Sequence, residues 1–187
     1  MMAKVIVDIT MSLDGFIAAP NGDPAPQLHQ WFFAPSDSSI QVIQEQLDTT
    51  GAIIMGRRTY DAGDKADGFI DNPFDVPHFV LTHTTPEKAA KGASSFTFVT
   101  DGIQSALKQA LDAAHDKDVC IMGGATIIQQ YIKAGLIDEI QVQIVPILLG
   151  EGTRLFDQIG NKSIELESTR VIESSNVTHL RFNVINK

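Results

Sequence analysis

The feature that most constrains this chain is the stretch 119–132, VCIMGGATIIQQYI, in which a short apolar run leads through two glycines into a helical pattern. An apolar run that stops at Gly-Gly predicts a buried strand. Apolar residues then recur at helical spacing, so we expect a helix that Thr126 can cap and that ends near Gly135. The stretch therefore predicts a strand followed at once by a helix.

A strand-to-helix junction built from glycines can bind an anion. Gly123 and Gly124 have no Cβ, so the backbone there can approach a ligand closely. The free N–H groups and the positive dipole end of the following helix favour a group such as a pyrophosphate. A tight turn that binds no ligand is the alternative, and a Gly-Gly pair alone does not separate the two.

The rest of the chain alternates predicted strands with predicted helices. The strands cover 4–10, 51–56, 78–82, 96–99 and 138–149, and the helices cover 36–48, 57–62 and a segment capped by Asp101. This alternation favours an α/β fold with a mostly parallel sheet and helices on both faces. The last two strands, 163–171 and 177–185, alternate apolar with polar residues and predict a C-terminal antiparallel hairpin at the edge of a mixed sheet. We therefore expect a single domain over 1–187.

The segment 11–35 is punctuated by proline and glycine, and it predicts a long ordered loop. Loops of this length inside a compact domain are usually functional or disordered. The apolar and aromatic residues in the segment, among them Phe16 and Trp31, argue against disorder. Trp31 can either pack in the core or contact a ligand.

The charge of the chain limits its partners. Of 187 residues, 43% are hydrophobic and 20% are charged, and the formal net charge of −9 argues against nucleic acid or an anionic membrane surface as the main partner. A phosphorylated ligand would have to meet a local cluster of basic residues. Apolar runs are shorter than the roughly 18 residues of a membrane span, and the start of the chain lacks a signal-peptide layout. We expect a soluble cytoplasmic protein.

Cys120 is the only cysteine of the chain, and it lies in the apolar strand of the Gly-Gly stretch. A single cysteine allows no internal disulfide and no cysteine-based zinc cluster, so we expect no metal. Because apolar surroundings disfavour the thiolate, we expect Cys120 to be a buried, inert thiol.

Several predicted strands end in groups that bind phosphate. These ends are Gly56-Arg57-Arg58-Thr59, Thr82-His83 and Gly123-Gly124-Ala125-Thr126. Ligands of open α/β sheets gather outside the carboxyl ends of the strands, so we expect these groups to lie close together. The two arginines open a helix, where the dipole disfavours cations unless an anion joins them, and beside Thr59 they can hold a phosphate by charge-assisted hydrogen bonds. A solvated basic turn is the alternative.

Five motifs, in this order, resemble the dihydrofolate reductase-like superfamily, and within it the reductase domain of the riboflavin-biosynthesis deaminase–reductase. They are SLDGFIA at 12–18, IIMGRRTYD at 53–61, FVLTH at 79–83, IMGGATIIQQYI at 121–132 and IDEIQVQIVPILLGEG at 137–152. The last motif looks more like the riboflavin branch than like dihydrofolate reductases. The P-C-x-x-C motif of the zinc deaminase partner is absent from the sequence, so the resemblance implies a stand-alone reductase.

The resemblance implies NADPH as the hydride donor. By this likeness Arg57, Arg58 and Thr59, directly after Gly56, lie along the cofactor phosphates, and Thr82 and His83 flank the adenosine 2′-phosphate. The residues that cradle the pyrophosphate and line the nicotinamide pocket are then Gly123, Gly124, Ala125, Thr126, Ile127, Ile17 and Ala18. The family also carries a cis bond at the paired glycines. His83 stands where an arginine or serine is common, so preference for NADPH over NADH rests chiefly on the two arginines.

The proton donor is left open by the resemblance. Dihydrofolate reductases place a carboxylate in the first helix, and the corresponding position here is near Ile40, which together with Trp31 would contact the substrate. Ile40 cannot transfer a proton. The candidate carboxylates are Asp37 and Asp14, although Asp37 or Ser36 also suits a helix N-cap and Asp14 also suits a turn. A water is a further source of the proton.

The resemblance therefore implies an NADPH-dependent reductase that acts on the riboflavin precursor 5-amino-6-(5-phosphoribosylamino)uracil or on a related small molecule. In that branch a ribose carbon, opened as an aldehyde or imine, accepts the hydride. Dihydrofolate reduction is an alternative that the apolar Ile40 weakens, and a nucleotide-binding protein without catalysis is another. Relatives of the riboflavin branch tend to pair through C-terminal strands, which implies a homodimer.

Overall fold

The structure, a computed structural model, describes residues 3–88 and 90–185, and within them ten strands form two sheets. The strands of the main sheet are β1 Val5–Ser12, β3 Thr50–Gly56, β4 His78–Leu81, β5 Phe96–Val99, β6 Asp118–Ile121, β7 Glu139–Val145, β9 Leu166–Glu173 and β10 Thr178–Val184. The small sheet consists of β2 Phe16–Ala18 and β8 Thr153–Arg154. The helices are α1 Gln30–Phe33, α2 Asp37–Thr49, α3 Arg57–Ala66, α4 Ile103–Ala114 and α5 Ala125–Lys133, with 3-10 turns at Pro20–Gly22 and Pro26–Leu28.

The main sheet has the order β5-β4-β3-β6-β1-β7-β10-β9. Neighbouring strands from β5 to β7 pair in parallel. β10 runs antiparallel to both β7 and β9. The prediction of a mostly parallel sheet with an antiparallel C-terminal hairpin at its edge is therefore confirmed.

Successive residues of β1 belong to two different layers, because neighbouring side chains of a strand point to opposite faces. Val5 and Val7 are buried in one apolar cluster with residues of α4 and α5. Ile6 is buried in a second cluster with Tyr60 of α3. Each fully buried aliphatic side chain of this kind contributes roughly 1.5–3 kcal/mol to stability. Helices cover both faces of the sheet, as predicted.

Two helix starts differ from the predictions. The N-cap of α4 is Gly102, at φ 103, rather than Asp101, and the N-cap of α5 is Gly124 rather than Thr126. Neither cap makes a side-chain hydrogen bond. Because the first N–H groups of a helix have no partner within the helix, the start of α5 keeps donors for another partner.

Two predicted helix boundaries are confirmed, whereas the predicted end of β7 is wrong. Ser36 caps α2, since its hydroxyl accepts a hydrogen bond from the N–H of Ser39. Gly135, at φ 67, follows the end of α5, where a residue without Cβ fits the left-handed backbone. β7 is shorter than predicted and ends at Val145, directly before Pro146, because proline lacks the N–H that would continue the ladder.

The prediction of a loop throughout 11–35 is wrong. β2 lies within this segment and pairs antiparallel with β8, with Phe16 opposite Arg154. The approach is close, because a Cβ built on Gly152 would lie 2.2 Å from the carbonyl oxygen of Ala18. Strands of three and two residues are shorter than the windows in which a pattern shows, so the sequence gives no local signal for them.

Helices long and apolar enough to cross a membrane are not found in the part of the chain that the structure describes. Within the same residues, His, Cys, Asp and Glu form no group of three or more that could hold a metal ion.

Candidate functional site

A cleft of about 790 Å³ opens at the carboxyl ends of β3, β4, β5 and β6. Its walls include residues that end or follow these strands, namely Gly56, Leu81, Val99 and Met122. Pockets for small ligands and cofactors commonly measure roughly 300–1,000 Å³. The cleft therefore has the size of a ligand site and lies where open α/β sheets bind ligands.

The structure brings together the strand ends that the sequence singled out. All the residues predicted to bind the cofactor line this cleft, and they are Ile17, Ala18, Gly56, Arg57, Arg58, Thr59, Thr82, His83, Gly123, Gly124, Ala125, Thr126 and Ile127. Their convergence is observed, whereas their contact with a cofactor stays a prediction.

Glycines allow the backbone segments at one side of the cleft to lie against each other. The N–H of Gly56 donates to the carbonyl of Gly123 at 2.8 Å. A Cβ on Gly56 would lie 2.9 Å from Cγ1 of Ile127, and a Cβ on Gly123 would lie 3.0 Å from Oγ1 of Thr59. Gly123 has φ 127, and its peptide bond to Gly124 is cis, as the resemblance implied. Side chains at these glycines would fill the space in front of the start of α5.

Arg57 is held in place by the end of β4. Its Nε donates to Asp61 at 2.6 Å, and its Nη1 donates to the carbonyl of Thr84 at 2.7 Å and to Oγ1 of Thr82 at 3.4 Å. The Nη2 group forms no hydrogen bond with residues 3–88 or 90–185, so its N–H donors remain for a ligand. This arrangement fixes a cation at the first turn of α3, where the helix dipole makes an anionic partner favourable.

Arg58 reaches toward the other wall of the cleft. Its side chain is exposed, and a Cβ built on Gly22 would lie 3.0 Å from its Nη1. Gly22 has φ 78 and ends the 3-10 turn Pro20–Gly22. Arg58 and this turn therefore approach each other across the mouth of the cleft.

Asp14, predicted as a catalytic carboxylate, is not part of the cleft lining. Its side chain accepts hydrogen bonds from Oγ of Ser12 at 2.6 Å and from the N–H groups of Leu149 and Gly150 at 3.1 and 2.8 Å. These bonds, that of Ser12 most, lower the pKa of Asp14 to about 2. A carboxylate that stays ionised at neutral pH is a poor proton donor, and this one ties the turn after β1 to the segment after β7.

The other residues predicted near the substrate also lie outside the cleft lining. Asp37 is exposed in the first turn of α2, and Ile40 on the same helix is 50% exposed. Trp31 is only 4% exposed. Its Nε1 donates to Oγ1 of Thr10 at 3.2 Å, and its ring makes an edge contact with His179. Of the two alternatives for Trp31, the structure shows core packing.

Sequence reasoning missed part of the cleft. The lining residues that it did not single out include Ile9, Gly22, Pro24, His29, Thr84, Thr100, Ile103, Met122, Gln130 and Thr153. Thr100 and Ile103 follow the end of β5, so the rule about strand ends could have indicated them. His29 has no local signal, because a histidine in an irregular segment is common.

The cleft is cationic. Among its described lining residues none is Asp or Glu, and the ionisable ones are Arg57, Arg58, His29 and His83. Partial desolvation by nearby protein atoms lowers the pKa of His29, although the residue is exposed to solvent. The site therefore favours anionic ligands by charge as well as by hydrogen bonding.

A second polar group lies on the other face of the sheet, and sequence reasoning missed it too. Asp8 of β1 is buried, and it accepts a hydrogen bond from Nε2 of Gln46 in α2. Burial raises the pKa of Asp8 to about 6, and hydrogen bonds from Gln143 and Gln46 and the charge of Arg181 oppose this rise. Asp8 does not line the cleft, so we assign its effect to stability.

The chain has a dihydrofolate reductase-like α/β fold, with its cleft at the carboxyl ends of the parallel strands. More narrowly, the chain belongs to the RibD C-terminal domain family, whose model matches residues 3–180. The family assignment confirms the resemblance given by the sequence motifs.

The chain is also similar to individual proteins. The uncharacterised protein YyaP of Bacillus subtilis (strain 168) is 27% identical over 178 residues, which cover 91% of this chain and 90% of that protein. A Shewanella sp. PV-4 protein named for riboflavin biosynthesis has 27% identity and a TM-score of 0.74, with 98% of this chain and 99% of that chain covered. Dihydrofolate reductase from Enterococcus faecalis shares the fold at 16% identity, with a TM-score of 0.63 and 98% and 97% coverage.

Proposed function

We propose that this protein is an NADPH-dependent reductase that transfers a hydride to a small molecule of the riboflavin-precursor type. One observation carries the proposal. Three strand ends that bear glycines, arginines and hydroxyls converge on a single cleft, and no carboxylate is found among its described lining residues. This combination suits a ligand with several phosphate groups, and membership of the RibD C-terminal domain family supports a reductase.

The residues present fit a dinucleotide. Gly56 and Gly123 keep the space in front of α5 open, and the unpaired N–H groups at the start of that helix suit a pyrophosphate. Arg57 and Arg58 would hold the 2′-phosphate of NADPH by charge-assisted hydrogen bonds. Ile17 and the neighbouring backbone would exclude water at the far end. When bound there, a dihydronicotinamide supplies a hydride, and the protein supplies orientation and electrostatics.

The substrate class is proposed from the family. A RibD C-terminal domain and a structural neighbour named as a 5-amino-6-(5-phosphoribosylamino)uracil reductase support a phosphorylated precursor of this kind. Dihydrofolate is a poorer candidate, because the carboxylate that dihydrofolate reductases place in their first helix has no counterpart here. Ile40 occupies the corresponding position and is exposed outside the cleft lining.

Titration of NADPH and NADH tests the cofactor assignment. Binding is followed by nicotinamide fluorescence for the wild type, for Arg57→Ala and for Arg58→Ala. Hydrogen bonds to charged groups are worth roughly 1.5–3 kcal/mol, so each variant should weaken NADPH about 10- to 100-fold. NADH, which lacks the 2′-phosphate, should be weakened much less.

Lys65→Ala is the matched control, because Lys65 is an exposed cation in the last turn of the same helix and does not line the cleft. It should leave both affinities unchanged. Equal losses for NADPH and NADH in the arginine variants would refute the 2′-phosphate assignment. A wild type that binds neither dinucleotide would refute the proposed function. NADPH oxidation in the presence of 5-amino-6-(5-phosphoribosylamino)uracil, followed by absorbance at 340 nm, then separates an enzyme from a protein that only binds nucleotides.

A further inference from the structure

The cleft contains an ionisable group, His29, that has no role in binding phosphate by the proposal above. His29 lies between the 3-10 turn Pro26–Leu28 and α1, and it lines the cleft together with Pro24. The N–H of Ala19 donates to the carbonyl of Asp23 at 2.9 Å and folds the segment after β2 back on itself. His29 and the proposed nicotinamide-end residues Ile17 and Ala18 therefore line the cleft from one continuous segment, which runs from β2 to α1.

Other ionisable groups of the cleft are unsuited to deliver a proton there. Arginine keeps its proton at any physiological pH, which excludes Arg57 and Arg58. His83 follows the end of β4, next to Thr82 and the carbonyl of Thr84 that hold Arg57. This places His83 on the wall proposed for the 2′-phosphate. Among the described lining residues, His29 is the one remaining acid.

We propose that His29 is the catalytic acid of this reductase. This role rests on the proposed function above. The carbon of a substrate C=O or C=N bond accepts a hydride from the dihydronicotinamide, which is oxidised. The π electron pair of that bond moves to the oxygen or nitrogen, and this atom takes a proton from a ring N–H of protonated His29. The products are an alcohol or amine and neutral imidazole, which regains its proton from water.

The surroundings of His29 favour release of the proton. The ring forms no hydrogen bond or ion pair with any residue in the described parts of the chain. Partial desolvation of this exposed residue lowers its pKa, so the protonated ring is a stronger acid than free imidazole. Charged or titratable groups on the elements packed against this segment are Asp8 on β1, Asp37, Glu45 and Asp48 on α2, Arg154 on β8, and His179 and Arg181 on β10. Asp23 lies in the segment itself, and Arg58 of α3 lies beside Gly22.

Three measurements on the full-length protein test this role, with His29→Gln as the variant and His115→Asn as the control. His115 is exposed at the end of α4, outside the cleft lining. The first measurement is NADPH affinity, which should be the same within about twofold in all three proteins. The second is single-turnover oxidation of NADPH with 5-amino-6-(5-phosphoribosylamino)uracil between pH 5 and 9.

General acids contribute roughly 10²–10⁴-fold to rate, so His29→Gln should lose at least about 100-fold near pH 6. The wild-type rate should fall as pH rises through the pKa of His29, whereas the variant should show no such dependence and His115→Asn should retain it. The third measurement is an NMR titration of the histidine rings. Addition of NADP⁺ should shift the His29 signals and leave those of His115 in place.

The outcomes distinguish the two proposals. A wild type that does not bind NADPH overturns the proposed function, and the role of His29 falls with it. Normal NADPH binding together with a wild-type rate and pH profile in His29→Gln overturns the role of His29 alone. If the aminouracil is not reduced, the proposed substrate class falls. In that case the NMR titration decides: if NADP⁺ does not shift the His29 signals, the placement of His29 at the nicotinamide is overturned.

Discussion

Replacement of Asp8 by asparagine removes a carboxylate that the fold buries beneath α2 and leaves an amide of the same shape. Asp8 is 8% exposed, and Nε2 of Gln46 donates to it. The amide oxygen of asparagine can accept the same bond. Its NH₂ group can donate to the side-chain oxygen of Gln143 once that amide, which donates to Asp8 in the wild type, turns over. The substitution therefore changes charge with little change in packing.

The magnitude follows from the pKa of Asp8, which burial raises from 3.8 to about 6. The folded state binds the proton more tightly than the unfolded state, so stability is lost as pH rises between these two values. At pH 7.5 the ionised carboxylate costs the wild type about 3 kcal/mol, and near pH 4.5 about 1 kcal/mol. Asp8→Asn does not ionise, so it should be more stable than the wild type by about these amounts.

Urea denaturation at pH 7.5 and pH 4.5 measures the free energy of unfolding of both proteins. Asp157→Asn, a substitution at an exposed aspartate, is the control and should change stability by less than about 0.5 kcal/mol at either pH. A variant that is less stable than the wild type at pH 7.5 would show that the carboxylate is satisfied rather than strained by burial. A stability difference that is equal at the two pH values would show that ionisation of Asp8 is not its cause.

Two further substitutions test the hydrogen bonds of Asp14 and the close backbone contact at Gly123. Asp14→Ala removes the hydrogen bonds that join the turn after β1 to Leu149 and Gly150, so it should lower the melting temperature by about 4 °C. The difference should shrink at acid pH, because protonation of Asp14, whose pKa is lowered to about 2, removes the same charge. Gly123→Ala should abolish NADPH fluorescence enhancement, since its Cβ would meet Oγ1 of Thr59 at 3.0 Å. Gly160→Ala is the control, with φ 104 and no atom within 4 Å of the new Cβ; equal losses in both would attribute the effect to backbone strain.

The sequence was sufficient for the parts of the site that depend on strand ends. Short apolar runs followed by glycine, arginine or threonine mark where buried strands stop, and parallel pairing then places those ends at one edge of the sheet. Gly56, Thr82 and Gly123 were found in this way. No residue-by-residue geometry was needed, because the topology alone brings the ends together.

Features that depend on tertiary contacts left no such signal. Trp31 has the same local sequence whether it packs against Thr10 or faces a ligand, and only the fold decides. Asp8 interrupts the strand KVIVDIT as an ordinary polar residue would on a solvated face. Its burial under Gln46 requires the position of α2, which the pattern of β1 does not contain.

Adjacent residues of β1 therefore lie on opposite faces of the sheet. Ile9 lines the cleft, whereas Asp8 lies beneath α2. β1 pairs with β6 on one side and β7 on the other, which fixes its register, and a shift by one residue would exchange the two faces. Because the sheet separates these faces, Asp8→Asn should raise stability and leave NADPH affinity unchanged within about twofold. Arg58→Ala should instead weaken NADPH binding and leave stability unchanged. A change in NADPH affinity in Asp8→Asn would mean that the two faces are coupled through the sheet, and that α2 helps to set the shape of the cleft.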